Sequence, residues 1–154
     1  MNIFLADEQT EPIATGPIVA IAERVLKSEG IPDNAELAVV LVGKEEMAGY
    51  NQRFMERSGP TDVLAFPVDL LIPGEIPSTI ANGEPLSLGD IFICPDVVEE
   101  QADELGVSLD DEMALIVTHG ILHLLGYDHS DPADAAKMSA RERELLKQEG
   151  IELP

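Results

Sequence analysis

The chain has 154 residues, of which 30 are acidic and 9 are basic, so its formal net charge is −21. This length and an apolar content of 45% predict one globular domain over residues 1–154 rather than a disordered chain. The charge argues against nucleic acid as a partner because polyanions repel each other, although a histidine motif described below weakens that exclusion. The lone Cys94 excludes a disulfide framework and a cysteine-rich zinc module, and we interpret it as a small core residue.

No targeting or membrane segment is predicted from the sequence. The first residues lack the basic region of a signal peptide. No apolar run reaches the ~18 residues that a helix needs to cross a bilayer. We therefore expect a cytoplasmic protein that does not associate with membranes.

Hydrophobic spacing, interrupted by glycine and proline, predicts alternating strands and helices followed by a run of helices. In chain order these are strand 2–7, helix 17–29, strand 36–42, helix 44–57, strand 62–66, strand 88–94, helix 95–105, helix 108–125 and helix 131–150. Proline and turn residues within 67–85 indicate an irregular loop or an extended hairpin arm between two pairing strands. This order predicts an α+β domain in which helices pack on the faces of a small mixed, mostly parallel sheet.

All three histidines of the chain lie within eleven residues, at His119, His123 and His129. Residues four apart share one face of a helix, so the first two can bind the same ion. Gly126 is suited to end that helix, and the following turn can return His129 to the ion. Three neutral imidazoles with an open fourth position are typical of a catalytic zinc site, although imidazole also suits nickel, copper or iron. We predict one Zn²⁺ per chain on these three residues, with catalysis acting through it.

The same spacing occurs in the metzincin pattern H-E-x-x-H-x-x-G-x-x-H. Gly120 stands where those proteases have their general-base glutamate, which counts against a peptidase. Glycine within a helix also costs ~1 kcal/mol relative to alanine. Two explanations stay open: a substrate or backbone segment that approaches the metal closely, or close packing of the helix on the sheet.

Three motifs together resemble the YbeY family of bacterial rRNA-maturation endoribonucleases over nearly the whole chain. They are His-Gly-Ile-Leu-His-Leu-Leu-Gly-Tyr-Asp-His at 119–129, Gly-Pro-Thr-Asp-Val-Leu-Ala-Phe-Pro at 59–67 and Leu-Gly-Asp-Ile-Phe-Ile at 88–93. The resemblance implies a zincin-like fold with the three histidines as metal ligands. It also implies a single-strand-specific, metal-dependent endoribonuclease in 16S rRNA 3′-end maturation and ribosome quality control. The implied partners are ribosomal RNA, small-subunit ribosomal proteins and an Era-type GTPase, with no DNA.

Two residues depart from the family pattern. Met55 stands where many members have an arginine that can hold phosphate, and Ala65 stands where serine is common. Arg53 and Arg57 flank the missing arginine and are candidates for its role in substrate binding. A continuous helix would, however, place each of them about 160° from Met55.

Further polar residues are candidates for supporting the site. Asp128, beside His129, either orients a metal ligand or shapes the turn. Thr61 and Asp62 either line the site or cap the start of a strand, whereas Asp90 fits a polar contact at a strand edge. A metal lowers the pKa of a bound water, so we prefer hydrolysis by water over attack by the 2′-hydroxyl.

Two other functions are consistent with the same residues. One is a zinc hydrolase of another substrate class, and the other is a ribosome-associated assembly factor with a structural metal. The acidic charge is unevenly distributed along the chain: residues 96–112 contain eight acids and no base. Residues 44–57 and 137–147 are neutral or basic, so we expect weak, salt-sensitive binding to free RNA rather than none.

Overall fold

The structure, a computed structural model, describes residues 1–75 and 85–153. Within these residues the elements in chain order are β1 (Asn2–Asp7), α1 (Gly16–Ser28), β2 (Ala35–Leu41), α2 (Lys44–Met55), β3 (Val63–Pro67), β4 (Leu86–Ile93), α3 (Pro95–Leu105), α4 (Leu109–Leu124) and α5 (Pro132–Gln148). Each predicted element is present, with its ends within two residues of the prediction. Of the loop predicted for 67–85, residues 76–84 lie outside the described residues.

The four strands form one sheet in the order β1-β2-β4-β3. β2 lies parallel to both β1 and β4, while β3 and β4 are antiparallel, with Val63 opposite Ile93. The predicted pairing of strands 62–66 and 88–94 is therefore confirmed, and so is the mixed, mostly parallel sheet. β3 is an edge strand, so the side chains at its start are accessible from the groove described below.

Apolar side chains cover both faces of the sheet. On one face Leu37, Val39 and Leu41 join a large buried cluster with residues of α1, α4 and α5. On the other face a smaller cluster beneath α2 contains Met47 and Cys94. Cys94 is fully buried, and burial raises the pKa of its thiol, which agrees with its interpretation as a core residue.

Helix α4 is buried along most of its length, with α1, α3 and α5 as its helical neighbours. Its start is set by Ser108, whose Oγ accepts a hydrogen bond of 3.1 Å from the backbone N–H of Asp111. Because α4 is held on several sides, the histidines in its last turns have a rigid support. No helix among the described residues combines the length and apolarity needed to cross a membrane.

Candidate metal centre

His119 and His123 lie one turn apart near the end of α4, as the sequence predicts. Their ring centroids are 4.7 Å apart, and the ring planes are nearly perpendicular. Both side chains are partly buried, with α4 as their common support. The two rings therefore open onto the same side of the helix.

A tight turn after α4 brings His129 to these two rings. Gly126 has a φ of 100°, in the left-handed region that glycine adopts without strain. Its N–H donates to the carbonyl oxygen of His123, and the N–H of Tyr127 donates to that of Leu122. The His129 centroid consequently lies 4.8 Å from that of His123.

The three histidines form a group that could hold a metal ion. One ring nitrogen from each lies within 4.8 Å of the other two. Zinc–nitrogen bonds of about 2.0–2.1 Å in tetrahedral geometry would place these atoms about 3.3 Å apart, so the rings have to move closer together to bind the ion. His129 is exposed, so an ion at this position would be accessible to substrate.

The environment of His123 favours its neutral, ligand-competent form. Burial lowers the pKa of His123, and the neighbouring His119 and His129 lower it further. A hydrogen bond with the backbone of Tyr127 acts in the opposite direction. A neutral imidazole is the form that binds a metal.

Glu142, on α5, is a residue of this site that was not predicted from the sequence. Its Oε1 contacts Nδ1 of His119, and its side chain is 13% exposed. One sequence signal was available, since Glu142 follows Met138 by four residues and precedes Leu145 by three, and both are buried. A carboxylate at this spacing lies on the apolar face of its helix and needs a polar partner.

Asp128 lies in the turn and forms hydrogen bonds with its neighbours His129 and Ser130. Its Oδ1 accepts a hydrogen bond of 2.7 Å from the backbone N–H of His129. A hydrogen bond with the Ser130 side chain is the largest cause that lowers the pKa of Asp128, followed by the one with His129. These contacts stabilise the turn that presents His129.

A groove of about 540 Å³ extends from the histidines between the start of β3 and the end of α2. Thr61 and Asp62 line it, and Thr61 Oγ1 donates to Asp62 Oδ1 at 3.2 Å. The same carboxylate oxygen accepts from the backbone N–H of Val63 at 2.7 Å. Asp62 thus both lines the groove and fixes the start of β3.

The two candidate arginines occupy different positions. Arg57 lines the groove together with Met55, whereas the Arg53 guanidinium lies 5.4 Å from the centroid of the Tyr50 ring. A continuous helix over 44–57 would have separated Arg57 from Met55, but α2 ends at Met55 and Glu56 has a φ of 54°. That early end of the helix brings Arg57 to the same side as Met55.

Comparisons with known proteins show the family of this chain. A sequence model of the family described as "Endoribonuclease YbeY" matches residues 5–150. Proteins named endoribonuclease YbeY are similar to this chain in Thermobifida fusca (44% identity over 146 residues, 95% of this chain and 92% of the relative) and Salinispora tropica (43% over 150 residues, 95% and 94%). A third, from Mycolicibacterium gilvum, is 40% identical over 148 residues, which are 96% of this chain and 83% of the relative.

A solved structure also shares the fold. The solution structure of a Thermotoga maritima protein superposes with a TM-score of 0.63 at 27% identity, over 95% of this chain and 87% of that one. Fold and site together define an α+β protein with a group of three histidines that could hold a metal ion. The chain belongs to the YbeY endoribonuclease family.

Proposed function

We propose that this endoribonuclease cleaves single-stranded RNA with a zinc ion held by His119, His123 and His129, and that it matures the 3′ end of 16S rRNA. The observation that carries the proposal is the group of three imidazoles at one end of an open groove. The family relationship supports RNA as the substrate class. Ribosome quality control, in the cytoplasm, is part of the same proposal.

The residues of the chain have separable tasks in this proposal. The bound metal supplies Lewis-acid chemistry that activates water and polarises a phosphoryl oxygen. The three histidines hold the ion, and the turn at Gly126 keeps His129 in place. Arg57 is the groove residue that can contact a phosphate of the RNA backbone, with Arg53 as a more distant contact.

The charge of the groove is compatible with RNA despite the overall charge of −21. Among the described residues that line it, only Asp62 and Asp128 are acidic, and Arg57 is basic. A divalent ion would reverse the sign of this local charge. Eight of the other acidic residues lie on α3 and the first turn of α4, which do not line the groove.

This distribution is the basis for proposing that partners deliver the substrate. Repulsion by the acidic surface slows encounter with free RNA. Ribosomal proteins of the small subunit or an Era-type GTPase could present the RNA end directly to the groove. Binding to free RNA is then expected to be weak and to depend on salt.

The test is cleavage of a single-stranded 16S rRNA 3′ fragment and of the same sequence in a duplex. Samples are the wild type, the wild type after verified metal removal, the stripped protein with zinc restored, and His123→Ala. We expect cleavage of the single strand only by the wild type and the zinc-restored sample. Cleavage that persists unchanged in the stripped protein and in His123→Ala would contradict a metalloenzyme and indicate a contaminating nuclease.

A structural metal in an assembly factor is the second candidate, because an ion held by the three histidines would also tie the turn after α4 to the helix. The coordination sphere distinguishes the two. Three protein ligands and an exchangeable position support the enzyme, and four protein ligands support the structural role. If the protein matures the 3′ end of 16S rRNA, as proposed, 16S rRNA with an extended 3′ end is expected to accumulate in cells depleted of it.

A further inference from the structure

The contact between Glu142 and His119 joins two helices at the metal centre. Glu142 Oε1 meets Nδ1 of His119, and the Glu142 side chain is largely buried between α5 and α4. Among the described residues, His119 is the ion-pair partner that the structure gives Glu142. The neighbouring Arg141 pairs instead with Glu29 and Glu144.

This contact decides which nitrogen of His119 is free for a metal. A carboxylate accepts hydrogen bonds and does not donate them, so a hydrogen bond between the two groups requires the proton of the neutral imidazole to be on Nδ1. Nε2 then has its lone pair available. A carboxylate that accepts a hydrogen bond from the ring nitrogen that does not bind the metal also raises the basicity of the histidine and holds its ring orientation.

The supporting helix makes this contact rigid. α5 is anchored by the buried Met138, Leu145 and Leu146, and its start is capped by Asp131, whose Oδ1 accepts from the Asp134 N–H at 2.8 Å. Glu142 lies on this anchored face. Its carboxylate is therefore held against His119 by the packing of α5.

We propose that Glu142 is a positioning residue that fixes His119 as an Nε2 metal ligand. It acts through His119 and does not touch the ion. The inference rests on the proposed metal-dependent function, and it adds that α5, which contributes no ligand, sets the metal affinity of the site.

The test compares zinc affinity in the wild type, Glu142→Ala, Glu142→Gln and the matched control Glu144→Gln. Glu144 is on the same helix and exposed, so its replacement removes the same charge without touching the site. Affinity is measured by competition with a chromophoric zinc chelator, and circular dichroism verifies folding. We expect Glu142→Ala to weaken zinc binding roughly 10–100-fold.

Glu142→Gln separates the charge from the hydrogen bond. Its amide oxygen can still accept from Nδ1, so we expect a smaller loss than in Glu142→Ala, while Glu144→Gln binds as the wild type does. A second readout is imidazole ¹⁵N NMR of the metal-free protein, above the pH at which histidines are charged. We expect the Nδ1-protonated form of His119 in the wild type and a mixture of forms in Glu142→Ala.

The outcomes separate this inference from the proposed function. If the wild type binds no zinc, the proposed function fails. If the wild type binds zinc and both folded Glu142 variants stay within twofold of it, the positioning role is overturned while the proposed function stands. An Nε2-protonated His119 in the metal-free wild type also overturns it. If Glu142→Ala does not fold, the zinc affinity of Glu142→Gln and the NMR measurement on the wild type test the positioning role instead.

Discussion

Gly120 on α4 and Ile91 on β4 are in close contact, and this contact explains why residue 120 has no side chain. A Cβ at residue 120 would lie 3.1 Å from Ile91 Cγ2 and 3.2 Å from Val63 Cγ2. Close packing of the helix on the sheet therefore accounts for this glycine. A glutamate at this position would crowd Ile91 and Val63, so its side chain fits this backbone only if these two side chains shift.

We expect Gly120→Ala to lower the free energy of unfolding by about 1 kcal/mol. Overpacking typically costs about 1–3 kcal/mol, which the gain in helix propensity of ~1 kcal/mol offsets only in part. Gly49→Ala on α2 is the matched control, because a Cβ there has no atom within 4 Å and only the propensity gain applies. Urea denaturation checks both variants, and equal stabilisation of the two would contradict tight packing at Gly120.

The turn at Gly126 gives the second prediction. Besides the φ of 100°, a Cβ on Gly126 would overlap the carbonyl oxygen of Leu71. Gly126→Ala must therefore shift the turn that holds His129. We expect a loss of about 3 kcal/mol in the free energy of unfolding from strain and overlap combined. Zinc affinity should fall at least tenfold.

Gly106 is the control for backbone strain alone. It has a φ of 71° at the end of α3, but a Cβ there meets no atom within 4 Å. Gly106→Ala should cost about 1 kcal/mol and leave zinc affinity unchanged. Chemical denaturation and chelator competition check both variants, and an unchanged affinity in folded Gly126→Ala would show that the turn does not position His129.

The sequence contained the local parts of this site but not its long-range parts. His119 and His123 were predictable because a helix repeats its face every four residues, and Gly126 marks the end of that helix. The pairing of Glu142 with His119 depends on how α5 packs on α4, which no local pattern specifies.

The position of Arg57 beside Met55 could not be derived from the sequence for a related reason. Its place depends on where α2 ends, and Glu56 adopts a left-handed backbone that few residues other than glycine adopt. The side chain of Asn51, which donates to the carbonyl oxygen of Gly59 at 2.9 Å, helps to fix this end. Such a hydrogen bond across eight residues is not visible in the hydrophobic spacing.

Glu112, a buried carboxyl group in the first turn of α4, gives a prediction about pH. It is 3% exposed, and its Oε2 has no hydrogen-bond partner among the described residues. Burial raises the pKa of Glu112 above its ordinary value of 4.5, and the negative charge of Asp62 raises it further. The folded state therefore holds this proton more tightly than the unfolded chain does.

This tighter proton binding stabilises the folded state. The stabilisation is fully present below pH 4.5 and is lost as the pH rises through the folded-state pKa of Glu112. Glu112→Gln cannot ionise, so we expect it to be more stable than the wild type near neutral pH by about 1 kcal/mol, with the difference shrinking at acid pH. Asp110→Asn, an exposed acid in the same turn, is the control. Thermal unfolding across a pH series checks the prediction, and a stability difference that does not change with pH would contradict it.

Met55 gives the last prediction, because it occupies the groove position at which an arginine would reach phosphate. It is 41% exposed and lines the groove beside Arg57. We expect Met55→Arg to tighten binding of metal-stripped protein to single-stranded RNA about three- to tenfold at low salt. One added phosphate contact should also steepen the dependence of log K on log salt by about 0.7. Leu105→Arg, at an exposed position on α3 outside the groove, adds the same charge and should change binding much less. Fluorescence anisotropy over a salt series measures both variants, and equal gains would show that net charge, rather than contact in the groove, limits the affinity for RNA.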